Sequence, residues 1–232
     1  MAANLSKLEV VQRFFSGTGF SYDQVATICT CGFDKYWKKR IIEKIPSHPA
    51  CIIDQACGTG ILTLKIARRF PDCRVIGVEL RDEYLTIARE KARALRISNV
   101  EFILGRAEDV VLEGGCDCIT SSYLAKYAEL GTLISNAGDM LRPGGLIIMH
   151  DFTYPSNPEF LLLWQTYFKL LRTIGSRIFP EWRTVFYELP EFLRQTTWVS
   201  DSLAMMKAKG FSDITSKSLA FSSAAIVTSR KL

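Results

Sequence analysis

The chain has 232 residues, of which 48% are hydrophobic and 23% charged, so it is long and apolar enough to bury a sizeable core. The formal net charge of +5 is a mild excess of cations, and no basic stripe is interleaved with aromatic residues, which argues against a nucleic-acid partner. No apolar run approaches the ~20 residues needed to span a bilayer. We expect one globular domain over residues 1–232.

The seven cysteines and two histidines bear on redox state and metal binding. No C-x-x-C pair occurs, and His48 and His150 are far apart in the sequence, so we predict no metal site. The cysteines are interpreted as small buried thiols in a reducing cytoplasm. The first residues lack the uninterrupted apolar core of a secretion signal, which favours a cytoplasmic protein.

Residues 4–49 are predicted to form a helical N-terminal arm. Apolar residues recur at helical spacing from Leu5 to Phe15. The glycine-rich stretch 17–23 predicts a loop. Two further helices are expected before the linker that leads into the first strand, the second of them around residues 36–42.

From residue 51 onward, predicted strands and helices alternate. The strands are 51–55, 74–79, 100–104, 116–120 and 146–150, and the helices are 61–69, 82–96 and 129–141. This alternation predicts an α/β fold with a Rossmann-like, doubly wound and mostly parallel sheet. In such a sheet, ligands bind at the carboxyl ends of the strands.

The last eighty residues break this rhythm. Residues 152–197 are rich in aromatic residues and arginines and predict a helical cap inserted before the last strands. A helix at 199–209, capped by Ser200, is followed by strands at about 213–219 and 223–229. These strands predict an antiparallel terminal hairpin that completes a seven-stranded sheet.

The stretch from Cys51 to Thr63 joins a strand, a glycine turn and a helix. This order is typical of the loop that holds a nucleotide-type cofactor, because Gly58 and Gly60 let the backbone approach a ligand closely. A dinucleotide-binding loop needs a third small residue where this chain has Thr63, and the turn lacks the lysine of a phosphate-binding loop. The loop, which also includes Ala56, therefore favours a cofactor without a pyrophosphate, S-adenosyl-L-methionine.

Other cofactor contacts are predicted at the ends of the strands. Glu79, followed by Leu80, ends the second strand, where a carboxylate can accept hydrogen bonds from both ribose hydroxyls. Arg106 and Ala107 follow the third strand, where the adenine is expected, unless Arg106 only forms a surface ion pair. Asp54 is expected to orient the loop or the cofactor's ammonium group, unless it only caps the turn that follows it.

Four stretches carry a family pattern: Tyr22-Asp23 with residues 32–39, residues 54–60 with Thr63, residues 118–123, and residues 140–145. Over nearly its whole length the chain resembles the class I S-adenosylmethionine-dependent methyltransferases, and specifically the ubiquinone/menaquinone biosynthesis C-methyltransferase family. The resemblance implies a small hydrophobic, prenylated quinone-like substrate. It also implies cofactor contacts at Thr63, Glu79, Arg106, Ala107 and Ser122, with Tyr22 lying over the cofactor.

The chain departs from that family pattern at several positions. Lys126-Tyr127 stand where the family usually has an Arg-Asn pair, and the residues from His150 to Thr153 stand where it usually has Glu-Phe-Ser. The family also usually has an acid at the position of Ile61 and Asn or Asp at that of Arg106. The first two departures concern the residues expected to act on the substrate.

Carbon methylation beside a quinol hydroxyl requires that this hydroxyl be deprotonated. The predicted catalytic residues are Lys126, His150 and Asp151. His150 is predicted to be the base because the usual pKa of histidine is near neutrality, and Asp151 is predicted to orient it.

Several functions remain open at this point. The favoured one is carbon methylation of a quinone-like or quinol-like aromatic substrate. The alternatives are a rhodoquinone-type amination with the same fold and cofactor, methylation of another small hydrophobic substrate, and cofactor binding without catalysis. The segment 152–197 suits an apolar substrate, and its arginines suit peripheral contact with a membrane surface. A homodimer is also left open.

Overall fold

The computed structural model describes residues 6–232. Its helices are α1 (Lys7–Phe15), α2 (Tyr22–Cys29), α3 (Phe33–Ile42), α4 (Ile61–Arg69), α5 (Asp82–Ala94), α6 (Leu130–Met140), α7 (Pro158–Leu170), α8 (Ser176–Ile178), α9 (Arg183–Gln195) and α10 (Trp198–Ala208). Its strands are β1 (Cys51–Gln55), β2 (Arg74–Glu79), β3 (Val100–Leu104), β4 (Cys116–Ser122), β5 (Leu141–Phe152), β6 (Phe211–Leu219) and β7 (Ala224–Lys231). Within this range, no helix combines the length and the apolar character needed to cross a membrane.

The seven strands form one sheet in the order β3-β2-β1-β4-β5-β7-β6. The first five are parallel, whereas β7 pairs antiparallel with both β5 and β6. The predicted doubly wound sheet and its antiparallel terminal hairpin are therefore confirmed. The strand order reverses between β1 and β4, and a crevice opens at such a reversal beyond the carboxyl ends of the strands.

The central parallel strands β1, β2 and β4 are buried on both faces, which explains their apolar runs, whereas the edge strand β3 is partly exposed. In β1, Ile52 packs with Trp37 and Ile66 on one side of the sheet, while Ile53 packs with Leu133 and other residues on the opposite side. Successive side chains of a strand point to opposite faces, so a sheet covered by helices on both sides needs apolar residues at adjacent positions.

The N-terminal arm and the cap pack against each other in a third apolar cluster. Phe14 and Val25 of the arm meet Trp182, Phe186 and Leu193 of the cap. The predicted loop at 17–23 is wrong in part, because Gly19–Ser21 form a 3-10 turn and α2 already begins at Tyr22. The prediction that Leu5 begins the helical pattern lies outside the described residues.

Two predicted boundaries near the C-terminal half are wrong. The fifth strand begins at Leu141 rather than at 146, because residues 142–145 are accommodated in a bulge opposite Asp117 of β4. Helix α10 begins at Trp198, so Ser200 lies inside its first turn, where its hydroxyl donates to the Thr197 carbonyl at 2.9 Å instead of capping the helix.

The interpretation of all cysteines as free thiols is also wrong for one pair. Cys51 and Cys116 begin the neighbouring strands β1 and β4, and the structure joins them in a disulfide with their Cα atoms 4.9 Å apart. The expected burial holds for Cys57, Cys73 and Cys118, which are buried free thiols. The remaining two cysteines lie beside the larger cavity described below, one partly buried and the other exposed: Cys29 and Cys31.

Candidate active site

The loop after β1 turns sharply through residues with positive φ. Gly58 has a φ of +58° and Gly60 a φ of +81°, and Ala56 reaches +53° despite its side chain. A Cβ atom at Gly60 would lie 3.2 Å from the Cβ of Ala88 in α5. Glycine is therefore required for the backbone conformation and for the close packing of this loop.

Asp54 holds this loop from behind. It is 1% exposed, and its carboxylate accepts hydrogen bonds from the hydroxyls of Thr63 at 2.6 Å and Thr120 at 2.7 Å. Burial raises the pKa of Asp54 to about 6, although both hydrogen bonds oppose the shift. The side chain thereby ties the start of α4 to β4, which supports the loop-orienting interpretation.

Glu79 lies at the carboxyl end of β2 and points back to the glycine loop. Its Oε2 accepts a hydrogen bond from the Gly58 N–H at 2.9 Å, and its Oε1 accepts one from the Arg81 N–H at 3.0 Å. Burial raises the pKa of Glu79, while the backbone donors oppose the shift. Each carboxylate oxygen has a further lone pair with which it can accept a hydrogen bond from a ligand hydroxyl.

A cavity of about 100 Å³ opens between the glycine loop, the ends of β2–β4 and the N-terminal arm. Eight of the eleven predicted cofactor-binding residues line it: Tyr22, Ala56, Gly58, Glu79, Leu80, Arg106, Ala107 and Ser122. The other three, Asp54, Gly60 and Thr63, are buried and do not line it. The backbone at Gly58 can approach a ligand closely, and the buried carboxylate of Glu79 lies beside it. This arrangement suits an adenosyl group, because its ribose offers two hydroxyl donors to the carboxylate.

Arg106 fits both interpretations made from the sequence, a border of the adenine site and a member of an ion pair. It lines this cavity, and its guanidinium also lies 3.8 Å from the carboxylates of Glu108 and of Asp109. The two carboxylates hold the planar guanidinium of Arg106 at the edge of the cavity. There the guanidinium can stack on a flat ring or lie along its edge.

The N-terminal arm closes the smaller cavity from the outside. Thr18 shares a hydrogen bond of 2.5 Å with the Tyr84 hydroxyl, and the Gly19 N–H donates to Glu83 at 2.9 Å. Asp23 accepts from the Thr59 hydroxyl in the glycine loop and pairs with Lys91 of α5. The arm is therefore fixed both to the loop and to α5.

A second, larger cavity of about 460 Å³ lies between the arm, the cap and the turn that joins β6 to β7. Aromatic and aliphatic side chains form most of its wall. Within residues 6–232, Lys126 is the only charged side chain that lines it. Four aromatic residues line both cavities and form the boundary between them: Phe15, Tyr22, Tyr123 and Tyr127.

Lys126 and Asp151 form a buried ion pair at this boundary. The distance from Lys126 Nζ to Asp151 Oδ1 is 2.5 Å, and the two side chains are 2% and 0% exposed. Asp151 also accepts the backbone N–H groups of Lys126 at 3.0 Å and Phe152 at 2.7 Å, while the Lys126 ammonium lies 4.3 Å from the centre of the Tyr127 ring. Burial lowers the pKa of Lys126 and raises that of Asp151.

The prediction that His150 has a near-neutral pKa is wrong. His150 is 0% exposed, and burial, followed by the charges of Lys38 and Lys126, lowers its pKa well below the usual value. Its Nδ1 lies 3.0 Å from the Ser122 hydroxyl, and its Nε2 finds no partner within the described chain. Neither cavity is lined by this histidine, so its geometry supports a neutral ring that holds Ser122 rather than a base.

Sequence reasoning missed several residues of the two cavities. Arg81 and Tyr84 lie two and five positions after the predicted acid Glu79 and line the smaller cavity, so their proximity in sequence was an available signal. Phe15 and Tyr123 lie on the boundary between the cavities. Tyr123 ends one of the stretches that carry the family pattern, which was an available signal, whereas no local pattern distinguishes Phe15 from a core aromatic residue.

The order of the strands and the antiparallel end of the sheet are those of the fold of the class I S-adenosylmethionine-dependent methyltransferases. Two of the solved structures that share this fold are similar to the chain as follows. The methyltransferase SibL matches at a TM-score of 0.61 and 16% identity, covering 87% of this chain, and this chain spans 56% of the SibL chain. The N-methyltransferase NodS of Bradyrhizobium japonicum, solved with S-adenosyl-L-homocysteine, matches at a TM-score of 0.59 and 13% identity, covering 86% of this chain and 87% of NodS.

The chain belongs to the ubiE/COQ5 methyltransferase family, whose model matches residues 3–231. A demethylmenaquinone methyltransferase of Staphylococcus aureus is 25% identical over 202 residues, which cover 85% of this chain and 81% of that protein. The resemblance seen in the sequence is confirmed, and the protein is an S-adenosylmethionine-dependent methyltransferase.

Proposed function

We propose that this protein transfers a methyl group to a ring carbon of a prenylated quinol. The observation that carries the proposal is the pair of adjoining cavities. The smaller one suits an adenosyl group. The larger one is apolar, and among residues 6–232 Lys126 is the only charged side chain that lines it. The larger cavity, about 460 Å³, is in the range usual for small-molecule sites. The demethylmenaquinone methyltransferase of S. aureus adds support for a quinone substrate.

In this proposal, Glu79 accepts hydrogen bonds from the ribose hydroxyls, and Arg106 and Ala107 border the adenine. Gly58 and Ala56 present backbone groups to the cofactor, with Leu80 and Ser122 completing its surroundings and Tyr22 covering it. Asp54, Gly60 and Thr63 act from behind by fixing the loop. When bound, the cofactor supplies an activated methyl group on a sulfonium, and the protein's main task is to align it with the acceptor carbon.

Lys126 acts on the acceptor ring. Lys126 lines the apolar cavity, and its ammonium lies beside the rings of Tyr127 and Phe152, which also line it. A charge in such surroundings interacts more strongly than in water.

The ammonium of Lys126 stabilises the oxyanion formed when a quinol hydroxyl gives its proton to solvent water, and this anion makes the neighbouring ring carbon nucleophilic. After the methyl group has moved from the sulfonium to that carbon, the carbon releases its own proton to water and the phenolic oxygen is restored. Asp151 holds the ammonium in place through the 2.5 Å contact. His150 contributes through its contact with Ser122.

Peripheral contact with a membrane is part of the same proposal. Leu163 and Phe221 line the larger cavity and are also 64% and 68% exposed, and Leu162 beside them is 68% exposed. An apolar rim of this kind can dip into the headgroup region, from which a prenylated substrate would enter. Sedimentation with phospholipid vesicles tests this: the Leu162→Ser/Leu163→Ser variant should bind them more weakly than the wild type, and equal binding would remove this part of the proposal.

The experiment that tests the reaction uses S-adenosylmethionine carrying a labelled methyl group and a chemically reduced, short-chain demethylated naphthoquinol. Label on a ring carbon of the product supports the proposal. A changed quinone without label would overturn it in favour of a non-methyl modification such as amination. Label on another hydrophobic acceptor but not on the quinol would show a different substrate, and tight cofactor binding without any product would indicate a binding protein.

A further inference from the structure

Tyr123 adopts a backbone conformation that is unusual for an aromatic residue. It follows the last residue of β4 with a φ of +70°, in the left-handed region that bulky side chains avoid. Its N–H donates to the His150 carbonyl at 2.9 Å, and its carbonyl accepts from the Lys126 ammonium at 3.1 Å. Strained residues of this kind persist where the surroundings hold them firmly, and they are concentrated at functional sites.

The side chain of Tyr123 is held as firmly as its backbone. Its ring stacks on Phe152 with centroids 4.7 Å apart and planes 13° apart. Its hydroxyl donates to Asp34 Oδ1 at 2.8 Å, and Asp34 pairs with Lys38 one turn later in α3. The side chains of Asp34 and Lys38 are only 2% and 4% exposed, so this ion pair is an internal anchor rather than a surface contact.

These contacts join the N-terminal arm to the end of β4 at the boundary between the two cavities. Tyr123 is one of the four aromatic residues that line both cavities. Its ring lies 4.8 Å from the Lys38 ammonium and 5.6 Å from that of Lys126. A shift of α3 would therefore move the ring that separates cofactor from acceptor, along with the backbone oxygen that orients Lys126.

We propose that Tyr123, anchored by Asp34 and Lys38, is a positioning residue that sets the alignment of the acceptor ring with the transferable methyl group. The hydroxyl of Tyr123 is directed to Asp34, and burial raises the pKa of the phenol well above its usual value, so it remains protonated and takes no proton from the substrate. The inference rests on the proposed methyl transfer. It adds the arm helix α3 to the parts of the protein that determine the rate.

The test is the Tyr123→Phe variant, which keeps the ring and removes only the hydroxyl. Tyr36→Phe is the matched control, because Tyr36 lies on α3, is 48% exposed and lines neither cavity. We expect kcat to fall about tenfold or more in Tyr123→Phe, because small misplacements of reacting atoms are costly. The KM for the quinol and the Kd for S-adenosyl-L-homocysteine should stay within about twofold, and the control should match the wild type.

A second variant, Asp34→Asn, tests whether Asp34 and Tyr123 act as one anchor. Because this variant also leaves the buried Lys38 ammonium without its counter-charge, the kinetics are compared only at temperatures where circular dichroism shows every variant to be folded. If the two residues act as one anchor, kcat of the double variant should equal that of the slower single variant, and methyl transfer should show a larger isotope effect with CD3-labelled cofactor. Unchanged kcat in Tyr123→Phe, or fully additive effects, would overturn the inference while leaving the methyl transfer itself intact.

An inactive wild type would instead count against the proposed function. In that case the anchoring of α3 by Tyr123 is tested by measuring the rate of amide hydrogen exchange in α3 with S-adenosyl-L-homocysteine bound. The wild type should exchange more slowly at residues 33–42 than Tyr123→Phe, and equal exchange would overturn the anchor.

Discussion

Replacing Asp151 with asparagine would leave the Lys126 ammonium buried without a counter-charge. The two side chains are 2% and 0% exposed, with 2.5 Å between Nζ and Oδ1. Removing one partner of such a buried pair costs about 3–5 kcal/mol of unfolding free energy, because the remaining charge stays desolvated. An exposed pair is worth only about 0–1 kcal/mol, because water and salt screen it.

The matched control is Glu101→Gln. Arg74 and Glu101 form an ion pair at 2.8 Å, but their side chains are 60% and 54% exposed. Urea unfolding followed by circular dichroism gives both free energies, provided that the slope of the transition is unchanged. The cost of Asp151→Asn should also shrink as the pH rises towards 10, since Lys126 can then lose its proton in the folded state. Equal and small losses in both variants would refute the argument that burial makes this pair costly to break.

Two further predictions concern the carboxylates around the glycine loop. Burial raises the pKa of Asp54 to about 6, so the folded protein keeps a proton that the unfolded chain releases near pH 4. The wild type should therefore lose about 3 kcal/mol of unfolding free energy from this group as the pH rises from about 4 to 6. In Asp54→Asn, the free energy of unfolding should depend less on pH over this range. The same pH dependence in both proteins, measured by urea unfolding at each pH, would contradict this. Glu79→Gln should weaken binding of S-adenosyl-L-homocysteine about 10- to 100-fold by calorimetry, because hydrogen bonds to a charged acceptor are stronger than neutral ones; an affinity equal to that of Glu101→Gln would remove the ribose role.

The parallel strands and the helices between them could be predicted closely from the sequence. The bounds 51–55, 61–69, 74–79 and 100–104 match the structure, because buried apolar runs and the intervening turns are local signals. The glycine loop and Glu79 could also be identified, since their spacing follows from the strand–loop–helix unit. Eight of the cofactor predictions consequently line one cavity.

What the sequence could not supply depends on contacts between distant segments. The larger cavity is assembled from the arm, the cap and the β6–β7 turn, and no local pattern brings these together. The pKa of His150 follows from complete burial near Lys38 and Lys126, which the order of residues does not reveal. The hydrogen bond between Tyr123 and Asp34 joins residues 89 positions apart.

A crystal structure with S-adenosyl-L-homocysteine and a demethylated short-chain quinol tests the central claim most directly. We predict the ribose hydroxyls on Glu79, the quinol ring in the larger cavity, and one ring oxygen within hydrogen-bond distance of Lys126 Nζ, about 2.7–3.2 Å. The cofactor sulfur and the acceptor carbon should face each other across the boundary formed by Tyr22 and Tyr123. A quinol bound outside this cavity, or a ring with no oxygen near Lys126, would contradict the account.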